Sequence, residues 1–262
     1  VSLNVARKLW ALDTPTFTFD SSLLMFGASG SITVPMPAFL IEHEKGLILF
    51  DTGLSPSGMA DPVAEYGEEV AAILGLQATP EQQIDRQLAN RGFRTEQITH
   101  VVSSHLHLDH AGAHHLFPQA TFYVGAGEFA NAFAPDPVGA FAYAPEALGG
   151  LRQLNWRIVP GADVDLFGDG SLTILSMPGH TQGNLSLKVR LASRTFILAG
   201  DTAHLRAALA AEFPTPFDDN SKIALQSLRR LKRIQEAEEA TVWITHDPQD
   251  WAELGNTGSH FE

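Results

Sequence analysis

His105-Leu106-His107-Leu108-Asp109-His110, followed by Ala111 and Gly112, is the stretch on which the reading of this chain turns. It places four side chains able to ligate a metal within six residues, directly after the β-branched run Ile98 to Ser103. A tight loop at a strand end can turn successive side chains of such a segment toward one point. Three imidazoles and a carboxylate crowded together would repel on protonation and lose solvation on burial. A metal ion is the simplest group that makes the crowding favourable. Borderline cations such as zinc prefer imidazole nitrogen with some carboxylate oxygen, which is what this loop offers.

Further ligands belong at other strand ends, and three candidates sit there. They are His180 in Pro178-Gly179-His180-Thr181, Asp201 in Gly200-Asp201-Thr202, and His246 ahead of Asp247 and Pro248. With the loop they make seven ligands, more than one tetrahedral ion uses and enough for two ions sharing a carboxylate. The chain has no cysteine, so any metal must be held by histidine and carboxylate, and neither disulfides nor a thiolate nucleophile are available. His43, His100, His114, His115 and His260 stand apart from these motifs and read as structural or surface histidines.

Around the motifs the pattern is α/β. Ala38 to His43 and Leu47 to Phe50 read as a hairpin turning at Glu44 to Gly46 and ending in Asp51-Thr52-Gly53. Asn184 to Arg190 and Thr195 to Ala199 repeat it and end in Gly200-Asp201-Thr202, while Ile98 to Ser103 and Thr241 to Thr245 each lead into a candidate ligand. Two similar halves are implied. Thr79 with Gln82 forms a capping-box signal, Pro80 suits a first helical position and Gly92 a stop, which predicts a helix from about Pro80 to Arg91 with Ile84 and Leu88 facing the sheet. A second amphipathic helix is expected from Asn220 to Ala237. The expected architecture is two sheets packed face to face with helices outside, in a single domain spanning 1–262. Residues 126–150, rich in Ala, Gly, Pro and Phe, show no clean period; a long excursion or short helices over the site are expected, suited to a substrate wall or a homodimer contact.

With 17 Lys and Arg against 30 Asp and Glu, the formal charge of −13 repels phosphate backbones, and nucleic acid is not an expected partner. The one basic cluster, Arg229, Arg230, Lys232 and Arg233, interrupts apolar positions at helical spacing and reads as a solvated helix face. No apolar run reaches the roughly 18 residues of a membrane span. The N-terminus lacks a basic region followed by an apolar stretch and a cleavage site. A cytoplasmic location is therefore the expectation, although the start at Val1 leaves a removed leader or tag open.

With its H-x-H-x-D-H motif, later histidine, aspartate and final histidine in order, the chain resembles the metallo-β-lactamase superfamily from Asp51 to Pro248. Its length, the Leu-Asp-His-Ala-Gly continuation, Pro178 to Gly183 and the His-Asp-Pro-Gln run look most like N-acyl-homoserine lactonases within it. The resemblance implies an αββα sandwich of two mixed β-sheets flanked by helices. It puts His105, His107 and His180 on one divalent cation and Asp109, His110 and His246 on the other, with Asp201 bridging and zinc as the expected metal. Asp51 would orient a ligand or serve as a turn residue. The implied reaction is opening of a lactone ring by a metal-bridging hydroxide, with Asp109 and His204 as the expected catalytic residues.

His204 stands where many such lactonases carry a tyrosine thought to contact the substrate carbonyl, so that contact passes to a histidine here. The Leu108 N–H is the other expected substrate contact. An acyl chain would need an apolar groove, for which Met25, Phe26, Met36 and Phe39, or Phe129, Phe133 and Phe141, are the candidates. Thioester hydrolysis of the glyoxalase II type and phosphoester or organophosphate hydrolysis are rivals on the same scaffold, and a non-hydrolytic metal protein is a remoter one.

Overall fold

A computed structural model describes residues 5–135, 137, 139–144, 148, 150–255 and 259–262. Two mixed sheets dominate it. The first contains β1 (Lys8–Ala11), β4 (Phe39–His43), β5 (Gly46–Phe50), β6 (Ile98–Val102), β7 (Thr121–Gly125) and β8 (Asn155–Val159), in that spatial order. The second runs β13 (Thr241–Trp243), β12 (Thr195–Leu198), β11 (Leu185–Arg190), β10 (Leu172–Ser176) and β9 (Val164–Asp165). A separate ribbon pairs β2 (Thr16–Asp20) with β3 (Ser31–Pro35).

Strict alternation along the strands builds the layers. Phe39, Ile41, Ile48, Phe50 and Val102 of one sheet meet Leu185, Leu187, Val189, Phe196, Leu198 and Trp243 of the other in a core between the sheets. The intervening Leu40, Leu49 and Val101 point outward and bury Ile84 and Leu88. Likewise Leu175, Ile197 and Val242 bury Leu228 and Leu231 on the far side. Because side chains alternate across a strand with period two, both faces of each sheet are apolar and each receives a covering layer.

The two halves echo each other in topology. β4 and β5 are antiparallel and β5 pairs parallel with β6; β11 and β12 are antiparallel and β12 pairs parallel with β13. The loops after β5, β6, β10, β12 and β13 consequently leave the sandwich at one edge. They carry Asp51, His105 to His110, His180, Asp201 and His246, in that order.

The helix expected from Asn220 runs Ser221–Glu238, with the Asn220 side chain accepting from the Ile223 N–H at its start. Three of its basic residues are ion-paired, Arg229 and Lys232 with Glu212 and Arg230 with Asp163. The helix expected from Pro80 to Arg91 is split. A 3₁₀ turn, Pro80–Gln82, is followed by extended Gln83 (ψ 136°) and the helix Ile84–Asn90. The Gln82 side chain accepts from the Thr79 N–H, as a capping box requires, but also donates to the Thr14 carbonyl, so a tertiary bond holds the first turn out of line with the second. Residues 126–150 contribute the short helix Glu128–Phe133 and a 3₁₀ turn, Ala140–Ala142, while 136, 138, 145–147 and 149 lie outside the described residues. No described helix is long and apolar enough to cross a membrane.

Candidate metal centre

All seven predicted ligands converge. The donor atoms of His105, His107 and His180, those of His105, His110 and Asp201, and those of Asp109, His110 and His246 each lie within 4.8 Å of one another. Asp201 stands between the groups. Its Oδ2 is 3.4 Å from His180 Nε2 and 3.8 Å from His105 Nε2, and its Oδ1 is 3.3 Å from His110 Nε2 and 3.2 Å from His246 Nε2. Asp109 Oδ2 lies 3.5 Å from His110 Nε2 and 3.7 Å from His246 Nε2. Each oxygen of Asp201 thus faces a different set of imidazoles, the arrangement a carboxylate shared by two cations needs.

The far nitrogens of the rings decide what the near ones present. His246 Nδ1 is 2.9 Å from the Pro35 carbonyl, which can only accept, so Nδ1 carries the proton and Nε2 a lone pair. His110 Nδ1 donates to Asp51 Oδ2 at 2.9 Å and His180 Nδ1 to Asp218 Oδ1 at 3.0 Å. His105 Nδ1 donates to Ser104 Oγ, which in turn donates to Asp51. Four rings therefore offer Nε2 lone pairs inward. Two of these nitrogens also crowd each other, His110 Nε2 to His246 Nε2 at 3.3 Å. Lone pairs facing at such distances repel unless a cation lies among them, and buried His105 Nε2 and Asp201 Oδ1 have no hydrogen-bond partner. The donor set fits metal.

The electrostatics divide the cluster: against burial, Asp201 and its neighbouring carboxylates raise His110, His180 and His246, while burial lowers His105 and His107. Burial, reinforced by neighbouring imidazoles, drives His105 and His107 far below the ordinary histidine range. Burial opposes the charged form of His110 too, yet Asp201, Asp109 and Asp51 together hold that ring well above it.

Three carboxylates beyond the candidate ligands hold the loops. Asp51 adopts a left-handed backbone (φ 61°) and accepts from the Ser104 N–H at 2.7 Å besides its bond to His110. Glu128 was missed by the sequence reading. It is fully buried and accepts from the Leu106 N–H at 3.0 Å, the Gly183 N–H at 3.1 Å and the Thr181 hydroxyl at 2.6 Å, tying the His105–His110 loop to the His180 loop. Asp218 was also missed; it orients His180 and is itself fixed by the backbone and hydroxyl of Thr215. Neither carries a motif, since a buried acid cannot be told from a surface one without its three-dimensional neighbours.

The centre forms the floor of a narrow cleft. Phe17, Phe19, Leu23, Leu24, Val34, Ile73, Leu74, Phe141, Ala142 and Phe217 wall it, and His107, Leu108, Asp109, Asp201, His204 and His246 lie at its base. Of the groove candidates only Phe141 lines it. Met25 and Phe26 follow the lining residues Leu23 and Leu24, but the chain turns there and Phe26 is 64% exposed. Met36 and Phe39 are fully buried in the core, and Phe129 and Phe133 stack on each other away from the cleft. His43 and His114 are buried and bonded to Ser171 and Ser103, apart from the centre.

Comparison with known proteins places this geometry. A model of the metallo-beta-lactamase superfamily matches residues 34–246. An N-acyl homoserine lactonase of Agrobacterium fabrum, AttM, is 32% identical over 86% of this chain and 87% of its own length. AiiA, an N-acyl homoserine lactonase of Bacillus thuringiensis subsp. kurstaki, is 28% identical over 82% of each chain. Among solved structures, a quorum-quenching N-acyl homoserine lactone hydrolase superposes with a TM-score of 0.82 at 25% identity, covering 98% of this chain and 99% of that one.

Proposed function

The chain belongs to the metallo-beta-lactamase superfamily and is a metal-dependent hydrolase, and from that premise we propose that it opens the lactone ring of N-acyl homoserine lactones. One observation carries the substrate class: a cleft walled almost wholly by apolar side chains ends on the seven-ligand cluster. Such a shape suits a ligand with an apolar tail and a compact polar head. The charged mouth expected for a glutathione thioester is missing among the described lining residues.

The nitrogen-rich, sulfur-free donor set favours zinc. When bound, two such ions would supply Lewis acidity and a water-derived nucleophile at neutral pH. The protein's share is orientation and proton handling. Ser104, Asp51, Asp218 and the Pro35 carbonyl fix the tautomers of four ligand rings, so the lone pairs are presented without reorganisation. Asp109, at 14% exposed, is the more open of the two central carboxylates and faces the cleft, where it can accept the proton released by the attacking water and pass it to the leaving alkoxide of the ring. The Leu108 N–H, on the ligand loop at the cleft floor, is the proposed donor to the ring carbonyl. The wall of Phe17, Phe19, Leu24 and Phe141 excludes water from the acyl chain and rewards longer chains.

Hydrolysis followed at constant pH tests the reading. N-acyl homoserine lactones of increasing chain length should be turned over faster, at low concentration, than unsubstituted lactones, thioesters or phosphotriesters. Preference for a thioester or phosphotriester would refute the lactone assignment while leaving the metal centre intact.

A further inference from the structure

His204 is the one imidazole at the centre that the seven-ligand scheme does not use. It is 2% exposed and lies edge-on to His180 at 4.8 Å between ring centres, against Phe217 at 5.4 Å, and stacked on His246 at 5.6 Å. Its Nε2 is 2.9 Å from Asp201 Oδ2, yet that nitrogen makes no hydrogen bond. A proton on Nε2 would therefore miss the carboxylate. A lone pair there would confront a carboxylate oxygen at repulsive range. Both problems vanish if the nitrogen and the oxygen are donors to the same cation, and the donor atoms of His180, Asp201 and His204 do lie within 4.8 Å of one another.

The oxygen concerned fixes which cation. Oδ2 is the atom of Asp201 that faces His180 and His105, whereas His110 and His246 face Oδ1. We infer that His204 is an additional metal ligand, a fourth imidazole for the cation held by His105, His107 and His180. This rests on the two-cation reading of the centre. That cation then has five protein donors, counting Asp201 Oδ2, while its neighbour has Asp109, His110, His246 and Asp201 Oδ1. The two sites become unequal, and the one with fewer protein donors empties first.

Proton NMR of the cobalt(II)-loaded protein in ordinary water tests this by counting paramagnetically shifted, solvent-exchangeable imidazole N–H signals. Six are expected from the wild type and five from His204→Phe. The variant should also release the cation on that side faster, by more than the roughly 10–100-fold that loss of an outer hydrogen-bond partner costs. Five signals in both proteins would overturn the assignment and leave the two-cation reading standing. Wild type binding fewer than two cobalt ions per chain would instead sink the underlying reading. Should the variant fail to fold, a crystal structure of the zinc-loaded wild type decides alone: Nε2 to zinc at about 2.0–2.1 Å supports the ligand role, and a clear gap refutes it.

Discussion

At Asp51 the backbone takes up a φ of 61°, a conformation L-residues other than Asn and Asp enter at a cost of order 1–3 kcal/mol. What holds it there is the side chain, which accepts from the Ser104 N–H, the Ser104 hydroxyl and His110 Nδ1 at once. Asp51→Asn keeps the tolerance for that conformation but loses charge and one acceptor. The variant is expected to fold and to bind metal about 10–100-fold more weakly in competition with a chelator. Undiminished affinity would reduce Asp51 to a turn residue. His114 gives a second prediction at this scale. Its ring is buried against Phe122 and Trp156, and burial pushes its pKa down to about 3. Between 6.5 and that value the unfolded chain is protonated at this position and the folded chain is not, so stability falls as pH drops through this window, by at most about 1.4 kcal/mol per pH unit. Denaturant midpoints measured from pH 7 to pH 5 should decline less in His114→Leu than in the wild type; parallel declines would show that His114 does not contribute.

Between residue and fold, the elements differ in how much of them could be read in advance. The hairpins β4–β5 and β11–β12 were legible because alternation and turn residues specify them locally, and the Ser221–Glu238 helix because its cap and apolar stripe agree. The break at Gln83 was not, since it depends on Thr14, far off in sequence. Nor were the cleft walls Phe17, Phe19 and Phe217, which gain their role only when the β2–β3 ribbon and the 215–219 loop fold over the centre. All seven candidate ligands were readable because strand-end position and residue type coincide, whereas Glu128 and Asp218 act through backbone groups and side chains distant in sequence that leave no pattern. This separates two kinds of element defect. Leu231→Ala, in the helix–sheet core, should cost about 2–5 kcal/mol of stability without changing resistance to chelator. Glu128→Gln cannot accept three bonds as a carboxylate does, and it should loosen both ligand loops and speed metal loss. Equal chelator sensitivity in the two variants would contradict the clamp assigned to Glu128.

Taken whole, the molecule is a two-sheet scaffold whose parallel pairings, β5 with β6 and β12 with β13, bring five loops to one edge. At that edge imidazoles and carboxylates are packed almost without solvent. Such a cluster is unfavourable by itself and becomes favourable only around cations, so metal binding and folding are linked. The charge of −13 disfavours anionic polymers and leaves an uncharged lactone unhindered. The direct test is metal content per chain, measured by mass spectrometry after reconstitution with zinc and removal of excess, alongside the thermal midpoint before and after chelation. Two ions per chain, with a midpoint that falls on chelation and returns with zinc, is the predicted result. One ion or none, with a midpoint indifferent to chelator, would contradict it.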